Sequence, residues 1–378
     1  MMRLGDVATY INGFAFKPDD WSEEGLPIIR IQDLTGNSYQ MNRYAGDYNP
    51  KYEVNRGDVL ISWSASLGVY VWQGEKALLN QHIFKVIFDK CDVDKSFYVH
   101  QVAAILEKAA SQAHGATMKH LTKPVFDALP FYLPDLLTQQ RIADTLDKVS
   151  EGIEVCRRML GELDLMVKAK FGEMFGDMLL NSKHWSECTL ESLADIVSGI
   201  TKGRKTKDEN LIEVPYMAVS NVKDGHIDWR TVKTIMATTQ EINQYRLQSD
   251  DVLMTEGGDP DKVGRGAIIK NPPENCIHQN HIFRVRLNEK VILPTFFAEY
   301  LQHQKAKRYF LGCAKQTTGI ASINMRQLKA MPVLLPPIEL QEQFATFVSK
   351  TDKSRLTIQQ VLSKMEMVKL ALMQEYFK

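Results

Sequence analysis

Two stretches decide the architecture: LTKPVFDALPFYLPDLLTQQRIADTL (Leu121–Leu146) and INMRQLKAMPVLLPPIELQEQFATFV (Ile323–Val348). In each, a proline (Pro134 or Pro336) stands just ahead of helical sequence, where it is tolerated because no helical partner for its missing N–H is lost. Outward from this pair the rest of the chain repeats in the same order. RLGDVATYINGFAF (Arg3–Phe16) answers SLADIVSGITKG (Ser192–Gly203), and GLPIIRIQDL (Gly25–Leu34) answers EVPYMAVSNV (Glu213–Val222). RGDVLISWSASLGVYVW (Arg56–Trp72) answers SDDVLMTEGGDPDKVGRGAII (Ser249–Ile269), and NQHIFKVIF (Asn80–Phe88) answers QNHIFRVRL (Gln279–Leu287). The offset drifts only from 193 at Asp58/Asp251 to 202 at Pro130/Pro332, which small loop insertions explain.

Within each repeat the runs are short, alternating or β-branched, and bounded by Gly, Asp and Asn: LPIIRIQ, DVLISWS, VYVW and HIFKVIF. A helix is expected near Ser96–Ala110 in the first repeat and over Pro294–Tyr309 in the second. Each proline exit then opens a long helix. In the first, Ile142, Leu146, Val149, Ile153, Cys156, Leu160, Leu163 and Val167 follow the alternating four-and-three spacing of a coiled-coil seam, with Gly176 as the stop. In the second, Ile358, Val361, Met365, Val368 and Leu372 keep that spacing, while Thr351 and Arg355 weaken its beginning. The fold class expected is α+β: two similar mixed domains, each followed by a long helix, the helices pairing as an antiparallel coiled coil. The boundaries expected are a first domain over 1–136, a helix over 137–180, a second domain over 181–336 and a helix over 337–378. A helix of some 40 residues spans about 60 Å; it adds little to one domain's core and instead sets a distance.

Composition bounds the rest. The chain has 378 residues, 44% hydrophobic and 24% charged, with no apolar run long enough to cross a membrane. The N-terminus lacks signal-peptide order. Five scattered cysteines without metal-ligand spacing point to reduced thiols and a cytoplasmic location. Forty-six basic and 46 acidic residues give zero net charge, which by itself argues against a nucleic-acid partner unless acidic residues lie on another face or an assembly supplies phosphate contacts.

The order, spacing and duplication resemble the specificity (S) subunit of type I restriction-modification systems over essentially the whole chain. The motifs carrying the resemblance are the opening at Leu4–Phe16, IRIQDL at Ile29–Leu34 read as a strand, GDVLIS at Gly57–Ser62, and the two Pro-Gln exits. The resemblance implies recognition domain, spacer helix, recognition domain, spacer helix, each domain reading half of a split, asymmetric site in double-stranded DNA. It also implies that the chain catalyses nothing and holds no cofactor. Its partners would be two methyltransferase subunits using S-adenosylmethionine, which a translocase–nuclease subunit can join. The abrupt start at Met1–Arg3 carries the expectation that the extra N-terminal segment of some relatives is absent.

Candidate DNA contacts come from the loops. Thr201, Lys202, Arg204, Lys205 and Lys207 in TKGRKTK form the densest basic cluster, read as phosphate contact against the alternative of a solvated surface run. Lys17, with Phe14 and Phe16, holds the equivalent loop of the first repeat. Ser62, Trp63 and Ser64 match Thr255, Glu256 and Arg265 after the GDVL/DDVL strand, where Arg suits guanine and Glu suits cytosine. Gln81 and Asn280 could bond adenine or cap a strand, and the neighbouring His82 and His281 are read as structural. Lys119 and Lys123, with His114 and His120, precede the first exit; Lys315 and Thr318, with Gln316 and Asn324, precede the second. NPPE (Asn271–Glu274) is a turn rather than an adenine-methyltransferase motif, because Glu274 replaces the stacking aromatic and no Gly-rich cofactor loop precedes it. Two rivals remain to be separated by experiment: a fused methyltransferase or nuclease, disfavoured by missing catalytic motifs, and a protein-binding scaffold with a coiled-coil stalk.

Overall fold

The computed structural model of the chain describes residues 2–112, 121–204, 210–258, 263–317 and 320–377. It divides into two compact units, Met1–Arg158 with Gln359–Lys378, and Met159–Ile358. The division cuts through both long helices rather than at their ends.

In the first unit the alternating runs become β1 (Thr9–Asn12), β2 (Leu26–Ile29), β3 (Val59–Ser62), β4 (Gly68–Val71), β5 (Ala77–Leu79) and β6 (Ile83–Ile87). An antiparallel sheet takes the order β1-β6-β3-β4, and β2 pairs in parallel with β5, Ile28 opposite Leu78. Helices α1 (Lys95–Gln112) and α2 (Leu136–Phe175) follow.

The second unit repeats the plan. Strands β7 (Ala194–Ser198), β8 (Ile212–Met217), β9 (Val252–Thr255), β10 (Gly266–Ile268), β11 (Ile277–His278) and β12 (Ile282–Leu287) give the order β7-β12-β9-β10, with β8 parallel to β11. Helices α3 (Pro294–Gln302), α4 (Gln304–Cys313) and α5 (Ile338–Tyr376) complete it. The single helix expected over Pro294–Tyr309 is broken at His303, whose backbone is extended (φ −78°, ψ 153°) and whose ring lies 4.8 Å from that of Phe171.

Local chemistry repeats as well. The strand expected over Ile29–Leu34 stops at Ile29; Ile31–Leu34 is a helical turn closed by Asp33, whose carboxylate accepts from the Arg30 N–H at 2.7 Å. Asn221 closes the matching turn, accepting from the Ala218 N–H at 2.9 Å. Gly13 and Gly199 each stand where a Cβ would lie 1.9 or 2.0 Å from a carbonyl oxygen, that of Asn80 or of His278, so only glycine lets the two backbones meet.

The glutamine of each Pro-Gln exit also has one repeated task. Gln139 donates to the Pro134 carbonyl and accepts from the Asp94 N–H, both at 2.8 Å; Gln341 donates to the Pro336 carbonyl and accepts from the Leu293 N–H at the same two distances. Both side chains are buried. Each ties the start of a long helix to the segment after its unit's last sheet strand, satisfying polar groups that would otherwise be costly inside.

In the first unit Tyr10, Phe84, Phe97, Tyr98, Phe126 and Phe131 form the core, and Ile142 and Leu146 of α2 join it with Leu372 and Met373 of α5 packed alongside. In the second, Phe171 and Phe175 of α2 interlock with Phe296 and with Phe344 of α5, ring centroids 4.8–5.5 Å apart. Each such aromatic contributes about 1.5–3 kcal/mol by burial. The helices run antiparallel in both units: Arg157 pairs with Glu366 at 2.9 Å in the first, and Asp164 with Arg355 at 2.7 Å in the second.

On α2 Ile142, Leu146, Ile153 and Val167 are buried and Val149, Leu160 and Leu163 half-buried. On α5 Ile358, Met365 and Leu372 are half-buried, but Val361 and Val368 are exposed, 44% and 49%. Their places are taken by Leu362 and Lys369, and at the seam's beginning Thr351 is buried and Arg355 half-buried. A long cationic side chain can lay its methylene stem along a seam while its head group stays hydrated or paired, so the more apolar valines were a misleading guide.

Candidate nucleic-acid interface

Backbone bonds gather the loops flagged in sequence. In the second unit the Ile200 N–H donates to the His278 carbonyl and the Asn280 N–H to the Ile200 carbonyl, bringing Thr201 and Lys202 beside Asn280. The Glu256 N–H donates to the His281 carbonyl. Strand Gly257–Gly258 pairs with Ile320–Ser322, which pairs on its other side with Lys315–Thr317. The first unit assembles the same way: Gln81 N–H to Phe14 carbonyl, Trp63 N–H to His82 carbonyl, Leu121 N–H to Trp63 carbonyl.

Side chains do not all follow their loops. Lys17, Thr201 and Lys202 are exposed, and Gln81, Arg265 and Asn280 are half-buried. Lys123 is exposed but ion-paired to Asp127 at 2.6 Å. Three other candidates turn inward, and a fourth, Trp63, is held against the core. Ser62 is fully buried, its hydroxyl donating to the Ser66 carbonyl; Thr255, its counterpart, is fully buried, and Ser64 is 4% exposed. Trp63 stacks on Phe84 and donates its indole N–H to Asn12 at 3.2 Å. Ser62, Ser64 and Thr255 are buried and offer nothing to a duplex, while Trp63 is half-buried and held by these contacts.

Arg204 is a different correction. Its guanidinium grips the Glu241 carboxylate through two nitrogens and donates to the Met236 carbonyl at 3.1 Å, so it braces the loop. Hydrogen bonding to Glu241 holds the Arg204 pKa above its ordinary value and the Glu241 carboxyl below its own. The basic strand residues are likewise used internally: Arg286 forks onto Asp251 at 2.7 and 2.8 Å, and Lys85 donates to the Glu53 carbonyl at 2.5 Å. Lys119, Lys205, Lys207, Thr318, His114 and His120 lie outside the described residues, as do the side chains of Lys315 and Gln316.

Sequence reasoning passed over one feature. Surface aromatics of the first unit, the exposed Trp21 and the half-buried Tyr52, carry cations, Arg30 over Trp21 at 5.6 Å and Lys51 over Tyr52 at 4.9 Å. Their only sequence signal was an aromatic next to or near a basic residue in an irregular loop.

Asn271 and Asn275, both in left-handed backbone (φ 46° and 56°), make NPPE a turn between β10 and β11. Among the described residues no group of three His, Cys, Asp or Glu side chains could hold a metal ion, and no helix is long and apolar enough to cross a membrane.

Two repeated mixed domains joined to paired helices, with polar loops gathered at matching places, define a recognition module rather than a catalytic centre. The family described as type I restriction modification DNA specificity domain matches residues 1–163 and again 182–366, and the chain belongs to that family. It is 24% identical over 380 residues to the type I restriction enzyme EcoBI specificity subunit of Escherichia coli, covering 92% of this chain and 78% of that one. It is 22% identical over 383 residues to the EcoKI specificity subunit of Escherichia coli, covering 92% and 80%. The crystal structure of the S subunit of a type I restriction-modification system from M. genitalium shares the fold (TM-score 0.54, 15% identity, 100% of this chain and 95% of that one). The chain is a DNA sequence-specificity subunit; its role is recognition, not catalysis, exercised within a restriction-modification assembly.

Proposed function

We propose that the chain reads a split, asymmetric target in double-stranded DNA, one half-site per unit, with α2 and α5 setting the spacing. The observation that carries this is the pairing of one repeated backbone plan with dissimilar loop side chains: equal scaffolds present unequal chemistry, so the two half-sites differ in sequence. Half-site separation in such readers follows protein geometry, about 34–36 Å per DNA turn.

Its partners are two methyltransferase subunits, which bring S-adenosylmethionine and transfer the methyl group, and a translocase–nuclease subunit can join them. Apolar side chains left exposed on the helices support such partners: Met367, Val368 and Leu370 in the first unit, Leu165, Met166 and Leu356 in the second. In the assembly the exposed Lys17 and Lys202 contact phosphate, while Gln81, Asn280 and Arg265 lie nearer the bases.

The test is exchange of the first unit's loops for those of another specificity subunit, followed by methylation mapping of the complex. One half of the target should change and the other persist. A change in both halves refutes the division of labour, and adenine methylation by the purified chain alone refutes a purely recognising subunit.

A further inference from the structure

One position after the central strand is held identically in both units. In the first, the Trp63 N–H donates to the His82 carbonyl at 3.2 Å and the Trp63 carbonyl accepts from Leu121 at 2.9 Å. In the second, the Glu256 N–H donates to the His281 carbonyl at 3.0 Å and the Glu256 carbonyl accepts from Ile323 at 2.9 Å. Trp63 therefore corresponds to Glu256, and His82 to His281. The backbone is shared; the chemistry at the node is not.

Trp63 closes its node with rings, edge to face on His82 at 4.9 Å and stacked on Phe84. Glu256 cannot do this. Its Oε2 accepts from His281 Nδ1 at 2.5 Å, while the His281 side chain stays 56% exposed and that of Glu256 33%. Both atoms of this bond belong to loops that the sheet ladder fixes in place.

A carboxylate only accepts, so the bond places the imidazole proton on Nδ1. The second carboxylate oxygen of Glu256 is bonded by no other described residue. The node thus presents a carboxylate acceptor, beside Asn280 and the exposed Lys202. In the major groove the complementary group is an exocyclic amine, N4 of cytosine or N6 of adenine. Arrays with acceptors facing outward, such as thymine O4 or guanine O6, are repelled.

We infer that Glu256 and His281 act as a pair that determines specificity in the second half-site by selecting, at one position of one strand, a base with a major-groove amino group, cytosine or adenine, over guanine or thymine. Glu256 makes the contact and also positions His281. The inference rests on the recognition reading above.

The test selects targets from a randomised duplex library with the intact complex of the full chain and its partner subunits, comparing wild type, Glu256→Gln, His281→Gln and, as a first-unit control, Lys17→Ala. Glu256→Gln replaces an acceptor by an amide that can donate and keeps the side chain's size, with folding checked by thermal melting. The expected result is loss of preference at a single base pair of the second half-site, by roughly 5- to 150-fold, with the first half-site unchanged. His281→Gln should relax the same position, and Lys17→Ala should leave that position alone. The base lost, cytosine or adenine, identifies which amino group is read. A wild-type split target that both second-unit variants preserve, or weaken evenly across all sequences, overturns this inference alone. A wild-type complex with no target preference overturns the recognition reading and this inference with it.

Discussion

Lys202→Ala and Arg204→Ala remove cations two residues apart and should have opposite consequences. Lys202 is exposed, and as a phosphate contact it releases about 0.9 counterion on binding. Its loss should therefore reduce the slope of log affinity against log salt by about 0.9, so that between 50 and 200 mM salt the wild type loses about 3.5-fold more affinity than the variant. Folding stability should not change, because among the described residues no bond from its ammonium is formed. Arg204 is 19% exposed and grips Glu241, itself 22% exposed. Removing it leaves Glu241 bonded to the Thr238 N–H at 2.9 Å, so the helix cap survives. The expected cost is about 1 kcal/mol of stability, with the salt slope unchanged. Fluorescence anisotropy at four salt concentrations and urea denaturation measure the two effects on the same samples. If Arg204→Ala flattens the salt slope as much as Lys202→Ala does, the assignment of Arg204 to bracing is wrong.

Three further outcomes are expected. Inserting seven residues into each long helix, after Arg158 and after Ile358, keeps the seam register and adds about 10.5 Å; methylation mapping should find a spacer longer by about three base pairs, and an unchanged spacer removes the ruler role. Gly199→Ala forces a Cβ to 2.0 Å from the His278 carbonyl oxygen and should cost the second unit at least about 2 kcal/mol in a denaturant melt; a variant as stable as wild type would show that this close approach is not obligatory. Burial pushes the buried His278 down to about 4 from 6.5, despite carbonyls at 3.0 and 3.3 Å that favour its charged form. The unfolded chain then binds the proton that the folded chain refuses, so stability should fall as pH drops from 6.5 towards 4, by roughly 2 kcal/mol at pH 5. His278→Gln should flatten that fall in melts at pH 5 and 7; an unchanged slope would assign the acid sensitivity elsewhere.

The repeat, the strand runs and the two long helices were legible because they depend on periodicity and order. The direction of individual side chains was not. Ser62 and Thr255 look like polar loop residues, yet each ends the central strand on its buried side, and one residue of register decides which face is reached. Arg204 sits in the densest basic run, but its partner Glu241 is 37 residues away. The seam of α5 was misread because hydropathy favours Val361 and Val368 over Lys369, although a lysine stem packs well enough at a two-helix seam. Gln139 and Gln341 stood in plain sight in the exits, but their bonds to Asp94 and Leu293 depend on tertiary contact alone.

Leu372, Met373, Tyr376 and Phe377 pack against the core of the first unit, with Phe377 set against Phe97 at 5.6 Å. The second unit draws on one unbroken stretch, Met159–Ile358. During synthesis the order of completion is therefore reversed. The half made first must wait with its core unfinished until the residues after Ile358 are made, by which point the whole stretch of the second half has been made. Nascent chains of the first unit expose apolar surface for the whole interval, which makes them the expected clients of chaperones and the expected site of failure when elongation stalls.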